Sequence, residues 1–126
     1  MKYLCLGFVD ESKLTALSRS AAQTLDDESL AYDRTLREHG HFIAAQALEP
    51  ATAGAVVRVR NGEVVVTDGP FAETHEQVGG FILIDARDLN EAIRLASRIP
   101  VLRMGAVEVR PIKELTSSRS RTEDAR

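Results

Sequence analysis

Between Val64 and Ala86 the chain reads VVVTDGPFAETHEQVGGFILIDA, and this stretch gathers acids, amides and a histidine more densely than any other. Asp68, Glu73, His75, Glu76 and Gln77 fall between two apolar runs that read as strands. Loops held by a rigid scaffold carry much of protein chemistry. A partly desolvated carboxylate can serve as a general base, and histidine titrates near neutral pH. Asp68 as the base, His75 as a proton carrier and Glu73 or Gln77 as the orienting group would therefore support cofactor-free elimination or hydrolysis of a small molecule. If Glu73–Gln77 forms a helical turn, Glu73 and Gln77 share a face. The same residues have an architectural reading. Asp favours turn starts, Gly admits positive φ and Pro fixes φ, so Asp68-Gly69-Pro70 could exist only to turn the chain. The residues after it could be a solvated loop.

Other residues carry weaker chemical signals. His39 and His41 straddle a helix end and a strand start, and a metal site there lacks an evident third ligand. Gly79-Gly80 suits a bulge or a close backbone approach, since no helix N-terminus follows to bind phosphate. Tyr3 and Cys5 lie on the first strand, where they either pack in the core or line a ligand cavity at a dimer interface. Cys5 is the sole cysteine, which excludes an intramolecular disulfide. No Walker loop, dinucleotide fingerprint, HExxH or nucleophile elbow is present, and no cofactor is expected.

The 126 residues suit one domain that buries roughly two thirds of its unfolded surface. A net charge of −3 gives no electrostatic case for direct nucleic-acid binding. The apolar run before Asp10 and Glu11 lacks a signal-peptide cleavage site, and Val78–Ile84 is too short to span a bilayer. A cytoplasmic protein is the expectation.

The elements that must position these residues follow from periodicity. Lys2–Val9 alternates Leu4, Leu6 and Phe8 against Tyr3, Cys5, Gly7 and Val9, so both faces of this strand are apolar or small. Glu11–Gln23 reads as a short helix or an irregular turn. A helix is predicted from Leu25 to the region of His39, with Thr24 as N-cap and Gly40 past its end. Strands follow at Phe42–Leu48, Ala55–Arg60 and Glu63–Thr67, the last two joined by Asn61-Gly62, a strong type I′ hairpin signal. Gly79–Asp85 is again apolar on both faces. Asp88 caps a helix with Glu91 three positions on, whose buried stripe is Leu89, Ala92, Ile93, Ala96 and Ile99. Ala106–Ile112 is the last strand, and 113–126 is expected to be disordered. The order is β-α-β, an inserted hairpin, then β-α-β: a ferredoxin-like split βαβ α+β domain over 1–112. Helices cover one face of such a sheet. The second apolar face predicts a homodimer packed sheet to sheet as a dimeric α+β barrel.

These residues also resemble a known family. Asp68-Gly69-Pro70-Phe71-Ala72-Glu73-Thr74, Glu76-Gln77, Gly79-Gly80-Phe81, Ile84-Asp85-Ala86, Asp88-Leu89, Arg98-Ile99-Pro100 and Val107–Pro111 are similar to the DGPF branch of the YCII-related proteins. The resemblance implies the ferredoxin-like dimeric barrel. It also implies a regulatory or accessory role as an alternative to catalysis, since the branch is often encoded beside extracytoplasmic-function sigma factors. A His–Asp pair proposed as catalytic in the wider family would fall near Ser29 and Glu38, and neither residue matches. His75 stands where this branch more often has lysine.

Overall fold

A computed structural model of the chain describes residues 1–118. In chain order the elements are β1 (Lys2–Asp10), α1 (Glu11–Thr15), α2 (Arg19–Glu38), β2 (Phe42–Ala47), β3 (Ala55–Arg60), β4 (Glu63–Asp68), β5 (Glu76–Asp85), α3 (Leu89–Ala96) and β6 (Gly105–Pro111). Short 3₁₀ turns at Ala51–Ala53 and Pro100–Met104 precede β3 and β6. Four strands form one antiparallel sheet in the order β2-β5-β1-β6, and β3 pairs with β4 as a separate two-stranded ribbon. This α+β arrangement is compatible with the ferredoxin-like expectation. The part of the chain expected to be a disordered tail, 113–126, shows no strand or helix over 113–117, and 119–126 lies outside the described residues. No helix among the described residues is long and apolar enough to cross a membrane.

The two faces of β1 part as their alternation requires. Tyr3, Cys5, Gly7 and Val9 are buried, and they lie in register beside Ile84, Ile82 and Gly80 of β5 and beside Val109 and Val107 of β6. The core forms there, where Tyr32 and Leu36 of α2 and Ala92 and Ala96 of α3 pack on the sheet. The Tyr32 hydroxyl donates to the Leu95 carbonyl at 2.6 Å, satisfying its polar tip inside the core. Leu4, Leu6, Phe8 and Leu83 alternate to the other face and are half-buried.

Three local expectations change. The long helix begins at Arg19, not Leu25, because the Ser18 hydroxyl accepts from the Ala21 N–H at 3.1 Å and caps it. Thr24 instead donates its hydroxyl to the Ser20 carbonyl within the helix. The helix ends as expected: Gly40 takes φ +79°, and the His41 N–H reaches back to the Leu36 carbonyl at 2.8 Å. In α3, Ala92 and Ala96 are buried, but Leu89 and Ile93 of the same stripe are 44% and 49% exposed. They rim a shallow apolar groove with Val107 and Val109 at the β6 edge. Finally, 73–77 makes no helical turn, since β5 already starts at Glu76.

The paired cap of α3 is as expected. The Asp88 carboxylate accepts from the Glu91 N–H at 2.9 Å, and Glu91 accepts from the Arg87 N–H at 2.8 Å. Asn61 and Gly62 take φ +52° and +78°, as a type I′ hairpin requires. One side of that hairpin carries Val57, Val59, Val64 and Val66, which are 62–70% exposed.

Candidate functional site

The loop that drew attention in the sequence is tightly organised by its backbone. Gly69 donates its N–H to the Gly54 carbonyl at 3.0 Å, and a Cβ on Gly69 would run into the Ala51 carbonyl oxygen. Gly69 is not in the positive-φ region, so glycine serves close approach here, not left-handed backbone. The Gln77 amide donates to the Ala72 carbonyl at 2.8 Å and to the Thr74 carbonyl at 3.1 Å, closing the loop over itself. Arg58 of the hairpin lies 4.8 Å from the centroid of the Phe71 ring. Asp68, Glu73 and His75 are all exposed, and none of them lines a cavity described here.

Tyr3 and Cys5 occupy the helix-covered face, 2% and 1% exposed, and not the opposite face that a second copy would cover. Burial pushes the Cys5 thiol up to about 11, which keeps it protonated and a poor nucleophile. His39 Nδ1 lies 2.8 Å from the Thr35 carbonyl, and His41 Nδ1 lies 2.8 Å from the Asp85 carbonyl, so both rings are engaged by backbone. No group of three or more His, Cys, Asp or Glu residues that could hold a metal occurs among the described residues.

A cavity lies elsewhere, between α2 and the sheet, with a volume of about 590 Å³. Glycines make it possible. Gly7 and Gly80 pair across β1 and β5, and Gly79 is the extra residue where the register shifts, so no side chains rise from this part of the floor. A Cβ on Gly79 would come within 2.8 Å of Val9 Cγ2, and one on Gly80 within 2.8 Å of the Gln46 carbonyl oxygen. The expected close approach and bulge at Gly79-Gly80 are therefore both present. Leu14, Leu25, Leu30, Val9 and Ile99 supply apolar wall.

Three side chains of α2 bring polarity to that wall: Asp26, Ser29 and Asp33. Ser29 donates its hydroxyl to the Leu25 carbonyl at 2.8 Å, leaving its oxygen as an acceptor. Asp33 is half-buried. Burial raises its carboxyl pKa above the usual aspartate value, and Arg37 one turn on offsets only part of this. The Arg37 guanidinium lies 4.3 Å from the centroid of the Phe42 ring. Asp33 makes no hydrogen bond or ion pair within the described residues. The geometry thus offers one half-buried carboxylate, without a hydrogen bond among the described residues, at the wall of an otherwise largely apolar cavity.

Sequence reasoning passed over Asp33 because α2 carries four other acids, Asp26, Asp27, Glu28 and Glu38. A signal was present: Ser29, Tyr32, Asp33 and Leu36 recur at i, i+3, i+4 and i+7, so the carboxylate shares the stripe that faces the sheet.

Fold and cavity together define a small α+β domain with a pocket beneath its long helix. The YCII-related domain matches residues 1–116, and the chain belongs to that family. It is also 39% identical over 114 residues to an uncharacterised protein of Rhizobium meliloti (strain 1021), an alignment covering 89% of this chain and 92% of the relative.

Proposed function

We propose that this YCII-related protein binds a small, largely apolar molecule beneath α2 and moves a proton on it without a cofactor, with Asp33 as the general base. The observation that carries this reading is the half-buried Asp33 carboxyl at the cavity wall, its pKa raised by burial that Arg37 only partly offsets. A base must reach its substrate, and Asp33 lines the cavity with its carboxyl pKa raised by burial, whereas Asp68, Glu73 and His75 are exposed and line neither cavity. Exchange of acidic C–H hydrogens for deuterium, followed by NMR over a panel of apolar ketones, tests it. The Asp33→Asn variant should lose about 10²–10⁴-fold in exchange rate, while Asp68→Asn should match the wild type. Equal exchange by Asp33→Asn and wild type would overturn the assignment.

Stability supplies an independent signature. A carboxyl whose folded pKa is raised binds its proton more tightly when folded than when unfolded. Its contribution is therefore lost as pH rises from the unfolded pKa through the higher folded value. Asp33→Asn removes that cost, so at pH 7 the inactive variant should melt no lower than the wild type. A residue retained only for stability would show the opposite.

A homodimer is part of the same reading. The half-buried apolar face of Leu4, Leu6, Phe8 and Leu83 supports packing against a second copy. Sedimentation at micromolar concentration should give a dimer, and Leu6→Asp should give a monomer. A wild-type monomer under those conditions would remove the dimer from the proposal.

A further inference from the structure

The lining of the cavity selects a charge as well as a size. Its charged side chains are Asp26 and Asp33, and no lysine, arginine or histidine lines it. Ser29 adds an acceptor oxygen between them, and Cys5 contributes a neutral thiol. Arg34, next to Asp33 in the chain, and Arg37, one turn on, are both outside the lining, and Arg37 stacks on Phe42. Asp26 and Asp33 are seven residues apart on one helix, so they lie on the same face about 10 Å apart along the axis. One carboxylate therefore sits near each end of the apolar wall.

An anionic ligand in this space would meet the half-buried Asp33 and the exposed Asp26, with no cation in the lining. In a partly desolvated site, like-charge juxtaposition is strongly unfavourable. A neutral ligand would gain apolar burial alone. A ligand with a protonated amine would gain the same burial and would also give Asp33 a direct hydrogen-bonded ion pair, which it lacks among the described residues. Charge-assisted hydrogen bonds are roughly twice as strong as neutral ones.

We infer that the ligands of this cavity are apolar molecules carrying a protonated amine, with the ammonium bound at Asp33 and the hydrocarbon body lying over Gly7, Gly79 and Gly80. This inference rests on the cavity being the ligand site. It goes beyond that reading by fixing the charge of the ligand and by excluding carboxylates and phosphate esters.

Three near-isosteric probes separate the possibilities: 2-phenylethylamine, 2-phenylethanol and phenylacetate, titrated into the full chain by calorimetry at pH 7.5. The amine is expected to bind at least about tenfold tighter than the alcohol, with phenylacetate weakest. Asp33→Asn should erase the preference for the amine over the alcohol. Asp33→Glu, which keeps the charge, should retain part of the preference. Binding of phenylacetate as tight as that of the amine would overturn the charge inference and leave the cavity reading intact. So would an amine preference that survives in Asp33→Asn. Failure of all three probes to bind would overturn both.

Discussion

Replacing Leu36 with alanine is expected to lower the free energy of unfolding by about 2–5 kcal/mol. The size of the effect comes from how little else holds α2 down. Of its twenty residues, only Tyr32 and Leu36 are buried, and Leu36 is 2% exposed within the cluster that includes Tyr3, Ile84 and Ala92. Truncation removes the transfer energy of the side chain and leaves a hole that the sheet cannot collapse to fill. Leu30, on the same helix but 57% exposed, is the control. Leu30→Ala should fall within about 0.5 kcal/mol of the wild type. Urea denaturation of both variants checks the pair, and equal midpoints would show that α2 is not anchored through Leu36. Because a domain is stable by only about 5–15 kcal/mol, the Leu36 variant should be partly unfolded in mild denaturant.

Gly105→Ala is expected to be nearly as damaging by the opposite mechanism. A Cβ at this position would run into the Phe8 carbonyl oxygen and lie 3.0 Å from the Phe8 carbonyl carbon and 3.2 Å from Val9 Cα. All three atoms are backbone of β1, a central strand of the sheet, so no side-chain rotation relieves the clash. The cost should sit at the upper end of the ~1–3 kcal/mol typical of overpacking, lowering Tm by about 10 °C. The natural contrast is Gly62→Ala. Its Cβ would meet nothing within 4 Å, and only the positive φ of the turn would penalise it. Calorimetric melting in which Gly105→Ala is no worse than Gly62→Ala would refute the steric account.

The sequence expressed the fold well wherever a feature is local or periodic. Asn61-Gly62 specifies its own turn, Asp88 and Glu91 specify their own cap, and the two apolar faces of Lys2–Val9 are written in strict alternation. Each depends on residues a few positions apart. The α2 start was less legible because Ser18 precedes an alanine-rich, largely exposed turn, and periodicity shows a helix only once it begins to touch the core. In α3 the stripe was visible but its angle to the sheet was not. Whether Leu89 and Ile93 meet anything depends on where β6 and the edge of the sheet lie.

The site was the least legible part. Asp33 matters because strands distant in sequence form a floor beside it, and burial raises its pKa only when α2 is docked. No local pattern encodes that. Gln77, in contrast, stood out on composition and turns out to spend its amide on the carbonyls of its own loop.

The order of strands across the sheet also constrains how the chain can be made. β1 lies between β5 and β6, so its pairing partners are residues 76–85 and 105–111. Lys2 pairs with Asp85, and until the chain has grown that far the apolar N-terminal strand has no neighbour. Non-local pairing of this kind pays its loop-closure entropy before any ladder bond forms, which slows folding. On the ribosome, α2 and the β3–β4 hairpin are complete local units long before the central strand can close. The nascent chain therefore carries an unpaired, doubly apolar strand through most of its synthesis, the period in which it is most open to chaperone capture or aggregation.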